Sequence, residues 1–304
     1  RAVPYTDLAA IAATIDPVEN VTLRDPAEWR LIGKPVERLD MLAKSTGTLA
    51  FGIDQKVEGM VYAALNVNPR KGAACTGFDA SEAEKMPGVL KVVPVTGGAA
   101  VIATNTWHAM EAAKAVRCTF AEAAYPADQA AHWAAVEAAF TPKTLDREWR
   151  NEGDIDKALG TTPIEAEYRA PYLAHQPLEP LNAIARVAGQ GLEIWGASQM
   201  PRFLQQVVAP IAGVEPEQVV LHNQYAGGSF GHRLEFENFR YAVEIATQMP
   251  GTPVKLTFTR EDDFAQDFTR PLAMARAKGA VSEGRITAFD MAVASPSVTR
   301  SQMG

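Results

Sequence analysis

The interpretation of this chain depends most on the stretch AGGSFGHR, residues 226–233. Three glycines surround one phenylalanine there, and Gln199 lies about one strand and one helix upstream. Glycine permits positive φ and has no Cβ, so a backbone rich in glycine can approach a ligand closely. The stretch therefore fits a loop pressed against a bulky, rigid cofactor. An ordinary tight turn between two strands is the alternative.

The spacing of the glycines excludes two common nucleotide-binding loops. No Gly-x-Gly-x-x-Gly opens a helix, and no Gly-x-x-x-x-Gly-Lys-Ser/Thr occurs in the sequence. The formal net charge of −7 argues against a dedicated nucleic-acid binder, because phosphate neutralisation needs a basic face. No run of apolar residues is long enough for a membrane-spanning helix, and the first residues lack the apolar centre of a signal peptide.

Composition indicates a soluble globular protein of roughly two domains. Apolar residues make up 47% of the 304 residues and charged residues 21%. The two cysteines, Cys75 and Cys118, cannot hold an iron–sulfur cluster. Two buried thiols are the simpler interpretation, with a disulfide left open.

Hydrophobic periodicity predicts a mixed α+β fold. A helix over 6–14 would be capped by Thr6 or Asp7. The other predicted helices cover 80–86, 106–116, 129–140, 201–211 and 234–248. The predicted strands cover 49–54, 60–65, 90–95, 99–103, 117–120, 164–169, 182–187, 191–197, 218–223, 254–259, 274–281 and 285–294.

Four stretches carry a family resemblance when taken in order. They are RLIGKPVERLD (30–40), AHQPLEPLNA (174–183), the glycine loop, and TREDD (259–263) with DFTRP (267–271). Together they resemble the large, molybdopterin-binding subunit of the xanthine dehydrogenase family. The branch most similar is that of the isoquinoline 1-oxidoreductase β-subunit and the membrane-associated aldehyde dehydrogenase. Members of this branch are longer than this chain.

The resemblance implies a domain division. Residues 1–40 would be a connector, 41–120 an α/β-hammerhead domain and 121–149 a linker. Residues 150–304 would be the first, incomplete part of a molybdenum-binding α+β domain.

The chemistry implied by the resemblance is oxidation of an aldehyde or an N-heterocycle with water as the oxygen source. The cofactor would be molybdenum-molybdopterin, with the cytosine dinucleotide form expected. Electrons would leave through [2Fe–2S] clusters on a small partner subunit, and a c-type cytochrome is a further possible partner. The family favours a periplasmic location, with the cytoplasm as the alternative.

The resemblance also implies site residues. Gln199 would donate its amide to the apical molybdenum oxygen, and Phe230 would wall the substrate pocket. The backbone from Gly227 through Gly228, Ser229 and Phe230 to Gly231 would face the cofactor. Viewed alone, Gln199 is a surface glutamine and Phe230 a core residue. Ser229 and His232 depart from the family pattern, in which glycine is frequent at the first position and glycine or arginine at the second.

Other polar residues have two interpretations each. Glu179 would orient the substrate channel or, as we favour, bond local backbone amides. Arg270 would bind a substrate or cofactor anion, or pair with Asp262, Asp263 or Asp267. A buried, backbone-bonded His175 and a solvated turn at 262–263 are expected, and we predict no protein-held metal ion.

Three function hypotheses follow. The first is a part of a molybdenum hydroxylase large subunit. The second is a non-catalytic scaffold or interaction subunit that keeps the fold. The third, a generic α+β binding protein, requires the ordered motifs to be coincidence. No residue matches the family's general-base glutamate, so the 304 residues alone are expected neither to turn over substrate nor to hold the cofactor firmly.

Overall fold

The computed structural model describes residues 2–303, with side chains up to residue 300. The chain divides into two compact units, one ending at Leu49 and the other beginning at Ala50. The first unit contains two short helices, α1 (Tyr5–Ala12) and α2 (Met41–Ser45), joined by a largely extended segment.

Helix α1 begins without a side-chain cap, so the prediction of a cap by Thr6 or Asp7 is wrong. Pro4 takes the cap position, because its fixed φ leads the chain directly into the helix. Both predicted cap residues therefore lie inside the first turn, and the amide of Asp7 donates to the carbonyl of Pro4 at 3.1 Å.

A seven-stranded mixed sheet forms the centre of the second unit. In spatial order its strands are β3 (Val89–Val95), β4 (Gly98–Ala103), β1 (Val61–Val67), β10 (Val254–Thr257), β7 (Asn182–Ala188), β8 (Gly191–Gly196) and β9 (Val219–Asn223). Two neighbouring pairs are parallel, β1 with β10 and β8 with β9. The expectation of a mixed fold that contains both helices and sheets is confirmed.

This sheet crosses the predicted domain division. Val61 lies opposite Val254 in the β1–β10 pair, so strands from both parts of the chain share one ladder. The hammerhead assignment for 41–120 and the other domain boundaries stay predictions.

Helices cover both faces of the sheet. Alternate residues of β1 and β4 face α6 (Pro201–Ala212) and α7 (Glu237–Thr247), while the others face α3 (Thr106–Ala115). This is the period of two that places successive side chains of a strand on opposite faces. Strand β4 is buried along its whole length.

Two smaller sheets complete the unit. Strands β6 (Ile164–Ala170), β11 (Ala273–Ser282) and β12 (Arg285–Ala294) form a three-stranded sheet, and β2 (Cys75–Asp79) pairs with β5 (Arg117–Phe120). Helix α4 (Gln129–Ala138) packs on the first through Val136. Two further short helices are α5 (Ile155–Leu159) and α8 (Arg260–Ala265), and α9 (Val298–Met303) ends the described chain. Among the described residues, no helix is long and apolar enough to cross a membrane.

Most predicted elements are present, and three differ. The predicted strand over 49–54 is a 3-10 helix, Gly52–Asp54, with an isolated bridge from Phe51 to Tyr225. The predicted helix over 80–86 reduces to the 3-10 helix Ala83–Lys85. Helix α7 begins at Glu237 and not at Leu234, because Gly231 at φ 109° first turns the chain into a short 3-10 helix.

Gly98 is required where β4 crosses β1. A Cβ on Gly98 would lie 2.1 Å from the carbonyl oxygen of Asn66, so Gly98→Ala must force the two strands apart. We expect Gly98→Ala to lower the free energy of unfolding by about 1–3 kcal/mol, the usual cost of overpacking. Urea denaturation followed by circular dichroism measures the change.

Gly77→Ala is the matched control, because Gly77 also lies in a strand and its added Cβ meets nothing within 4 Å. Equal losses of stability in the two variants would contradict the steric explanation.

Candidate functional site

Two parallel strands deliver the site residues to one edge of the large sheet. Strand β8 ends at Gly196 opposite Asn223, the last residue of β9. The side chain of Asn223 accepts from the amide of Ser198 at 2.9 Å and donates to its carbonyl at 3.2 Å. The carboxyl ends of neighbouring parallel strands meet at the same edge, which is where open α/β sheets bind ligands. The segment after β8 is therefore fastened to the segment after β9.

Gln199 and the glycine loop lie together at this edge. The backbone amide of Gln199 donates to the carbonyl of Arg233 at 2.9 Å. The hydroxyl of Ser229 donates to the Oε1 atom of the Gln199 side chain. Gln199 thus contacts the residue next to Phe230, and the catalytic and cofactor-binding roles of both stay predictions.

The glycines are required by a neighbouring loop. A Cβ on Gly227 would lie 2.6 Å from Cβ of Glu179, and one on Gly228 would lie 3.1 Å from Cβ of Pro177. Gly228 also has φ 110°, which favours glycine. The segment that contains Pro177 and Glu179 therefore packs directly on the glycine loop.

Of the five backbone amides from Gly227 to Gly231, one donates a hydrogen bond to a described residue and four do not. The amide of Gly227 donates to Oε2 of Glu179 at 2.5 Å, and its cofactor-binding role stays a prediction. Within residues 2–303, the amides of Gly228, Ser229, Phe230 and Gly231 have no acceptor. Successive free amides at a turn with positive φ make a concave donor surface for anionic or oxygen-rich groups.

Phe230 is presented to the outside. Its φ is 58° and 79% of its surface is exposed, so the alternative of a core phenylalanine is excluded. It lines a cavity of about 770 Å³ whose other apolar walls include Leu173 and Phe268.

Glu179 has the structural role that we favoured. It is 6% exposed, and its Oε1 accepts from the amide of Ile53 at 2.8 Å and from Nδ2 of Asn182 at 3.0 Å. Its Oε2 is shared between Gly227 and Nη2 of Arg233, the latter at 3.4 Å. A carboxylate committed to four internal donors is not free to bind substrate.

Arg233 is a residue that the sequence analysis missed. It is 3% exposed, and its Nη2 also donates to the carbonyl of Glu179 at 2.8 Å. Burial lowers the pKa of this guanidinium, against the opposing influence of Glu179 and Asp263. The available signal was the basic residue at the end of the stretch 226–233, where a buried ion pair can hold the loop in place.

Arg270 lines the cavity beside Phe230 and is exposed. Its Nη2 donates to the carbonyl of Pro171 at 2.9 Å. In the described part of the chain it makes none of the ion pairs with Asp262, Asp263 or Asp267 that were the alternative. Its guanidinium is therefore available to an anion.

The solvated turn expected at Asp262 and Asp263 is wrong. Both lie in α8, where Asp262 forms a capping box with Thr259. Asp263 is 1% exposed and accepts from the amide of Leu181 at 2.7 Å. Burial raises the pKa of both carboxyls.

A cluster of His175, His232 and Asp267 lies beneath the loop, and sequence reasoning missed it. Asp267 holds His175 through both oxygens, accepting from its amide at 2.8 Å and bonding Nδ1 at 2.7 Å. The His175 bond to a side chain differs from the backbone partner expected. The two imidazoles are stacked, with an interplanar angle of 11° and centroids 5.0 Å apart. Stacked rings cannot both direct an in-plane lone pair at one ion, so we assign no metal here.

Burial is the largest cause of the pKa shifts of His232 and of two ionisable residues near it, Glu235 and Lys71. It lowers the pKa of His232 to about 4 and raises that of Glu235 to about 9. It also lowers the pKa of Lys71 to about 8, against the attraction of Glu237 and Glu235. Near pH 7, His232 is therefore neutral and Glu235 is protonated.

Replacing Glu179 by glutamine tests the buried carboxylate. Glu179→Gln keeps the volume but turns an amide NH2 toward donors that need an acceptor. We expect the free energy of unfolding to fall by about 3–5 kcal/mol, the cost of breaking a buried pair. Chemical denaturation measures it. The control is Glu165→Gln, which removes an exposed pair with Lys278 and should change little. Equal effects would exclude a special role for Glu179.

The raised pKa of Glu235 predicts a pH dependence. In the unfolded chain this carboxyl ionises near its ordinary value of 4.5, whereas in the folded protein it holds its proton to about pH 9. The stability that it contributes is present below pH 4.5 and is lost as the pH rises toward 9.

Glu235→Gln cannot ionise, so its stability relative to the unchanged protein should increase steadily from pH 5 to pH 9. Urea denaturation across this range measures the difference. A constant difference would show that Glu235 titrates normally.

Comparison with known proteins gives a consistent result. The model of the molybdopterin cofactor-binding domain matches residues 137–298. The membrane-bound aldehyde dehydrogenase [pyrroloquinoline-quinone] of Gluconacetobacter polyoxogenes is 30% identical over 92% of this chain and 38% of its own length. The isoquinoline 1-oxidoreductase subunit beta of Brevundimonas diminuta is 30% identical over 91% of this chain and 37% of its own. The chain thus spans less than two fifths of these relatives.

Solved structures show the same fold. Quinoline 2-oxidoreductase from Pseudomonas putida 86 superposes with a TM-score of 0.70 at 19% identity, covering 86% of this chain and 39% of that one. Aldehyde oxidoreductase from Desulfovibrio gigas gives 0.64 at 22% identity, covering 84% and 33%. Since the family model covers more than half of the chain, including Gln199 and the glycine loop, this protein belongs to the molybdopterin cofactor-binding domain family.

Proposed function

We propose that this chain is part of the large subunit of a molybdenum-dependent oxidoreductase that oxidises an aldehyde or an N-heterocycle. The observation that carries the proposal is the row of four free amides from Gly228 to Gly231, with the Gln199 carboxamide beside it. A scaffold that only kept the fold would have no need to leave these donors without acceptors.

The donor set fits the cofactor of the family. Backbone amides and a neutral carboxamide suit a group whose outer atoms are oxygens and phosphates, and they leave the metal to the ligand's own sulfurs. Gln199 and the amides of 228–231 would hold it. When bound, the cofactor supplies two-electron oxidation of a carbon, with water as the source of oxygen. The protein binds, orients and shields it.

Phe230 and the adjoining cavity define what the substrate would meet. The exposed ring, Leu173 and Phe268 form an apolar wall, which favours a flat, apolar molecule. Arg270 at the same cavity would attract an anionic substituent of the substrate. This supports Arg270 as a candidate binding residue, whereas the internal bonds of Glu179 favour a structural role for that carboxylate.

One relative is named for a different cofactor, pyrroloquinoline quinone. We prefer molybdopterin because the matching family model spans the site residues themselves. The cytosine dinucleotide form, a small subunit with [2Fe–2S] clusters, a c-type cytochrome and a periplasmic location are parts of the proposal that rest on the resemblance. The name of the Brevundimonas relative, a subunit beta, supports a second subunit.

The test is metal and pterin content of the complete gene product, produced with its neighbouring subunit genes. We expect about one molybdenum per chain by mass spectrometry of the metal, and the fluorescence of oxidised pterin after denaturation. Gln199→Leu, which removes the carboxamide at similar volume, should reduce turnover of aldehydes. A protein that lacks both molybdenum and pterin after production in a molybdenum-replete host would exclude the oxidoreductase and favour the scaffold.

Phe230→Ala tests the cavity wall. Loss of the ring forfeits about 1.5–3 kcal/mol of apolar contact, so KM for an aromatic aldehyde should rise about tenfold or more. Phe289→Ala removes another exposed phenylalanine, on β12, and serves as the control. Steady-state kinetics measures both, and an unchanged KM in Phe230→Ala would show that substrate binds elsewhere.

A further inference from the structure

Ser229 makes two hydrogen bonds that act on different parts of the site. Its Oγ accepts from the amide of Arg233 at 3.1 Å, and its hydroxyl donates to Oε1 of Gln199. The first bond ties the serine to the turn that follows the loop. The second reaches across to the segment after β8, so one small side chain joins the two halves of the site.

Proton accounting within the protein favours one direction for the second bond. A hydroxyl has one proton to donate and two lone pairs to accept with. Among the described residues, Oε1 of Gln199 is the acceptor available to the Ser229 proton. If the carboxamide were flipped, its NH2 would face Oγ, and the hydroxyl proton would lose its acceptor within the protein.

The consequence is an oriented amide. With Oε1 held by Ser229, the Nε2 group of Gln199 lies on the other side of the carboxamide. Within residues 2–303 that group has no hydrogen-bond acceptor, and Gln199 is exposed. Its two protons are therefore available to a ligand at the free amides of the loop.

The backbone of Gln199 is held independently. Its amide donates to the Arg233 carbonyl at 2.9 Å, so the start of the side chain is fixed whatever occupies position 229. The remaining freedom lies in the side-chain torsions, and the last of these is broad for glutamine. Ser229 removes that freedom, which a glycine at this position would leave.

We propose that Ser229 is a positioning residue, which locks the Gln199 carboxamide with its NH2 group toward the bound cofactor. The inference rests on the proposed function for the identity of the ligand, but the lock itself exists without it.

The first experiment uses nuclear magnetic resonance on the complete gene product without its cofactor. The side-chain NH2 signal of Gln199 is assigned by its loss in Gln199→Leu. In the unchanged protein we expect a strong heteronuclear NOE, as for a rigid group. In Ser229→Ala the NOE should fall to that of an exposed glutamine, while backbone amide signals outside the loop keep their positions.

Two further variants sharpen the result. Ser229→Thr keeps the hydroxyl and should preserve the rigid Gln199 signal. Ser81→Ala removes a hydroxyl beside Asp79 and should leave that signal unchanged. A rigid Gln199 amide in Ser229→Ala, or a mobile one in Ser229→Thr, overturns the proposal.

The second experiment uses the complete gene product loaded with cofactor. Because a misdirected donor affects the reacting centre more than substrate affinity, Ser229→Ala should lower kcat about tenfold with little change in KM. An unchanged kcat there overturns the role toward the cofactor. Absence of molybdenum from the unchanged protein would instead refute the proposed function, and the resonance experiment would still decide whether Ser229 holds Gln199.

Discussion

The site depends on one buried carboxylate. Glu179 collects the amide of Ile53, the side chain of Asn182, the amide of Gly227 and the guanidinium of Arg233. Ile53 lies 126 residues from Glu179 in sequence and Gly227 lies 48 residues from it, so the carboxylate joins segments that are distant along the chain. Each is a donor that would be costly to bury without an acceptor. The carboxylate therefore holds the glycine loop against the edge of the sheet, and the loop in turn keeps four of its own amides open.

Strand pairing and polar contacts have separate roles in building the site. The strands bring Gln199 and the glycine loop together, and the polar contacts fix their orientation. The parallel pair β8 and β9 brings Gln199 and the loop to the same edge, as the geometry of open sheets requires. Glu179, Arg233, Asn223 and Ser229 then fix the orientation of the groups at that edge. Strand pairing alone would leave a mobile loop with the same residues, and such a loop would not present its donors in a fixed arrangement.

Buried ionisable groups extend below the loop. His232, Glu235, Asp263 and Asp267 lie there with Lys71 and Arg233, and burial shifts several of them toward their neutral forms. Keeping such groups in the interior costs stability unless they are paired.

The sequence by itself determined the mixed fold, most helices and strands, and the family, because local periodicity and an ordered set of motifs survive in one dimension. It identified Gln199, Phe230 and the glycine loop as candidates. Only the tertiary structure shows that the Glu179 side chain is buried, that the amide of Gly227 donates to it, and that Asp263 is buried. It also revealed Arg233 and the histidine cluster. The physical reason is that burial and hydrogen-bond partners depend on contacts between residues distant in sequence. Ile53, Glu179 and Gly227 are such residues, and only the folded chain brings them together.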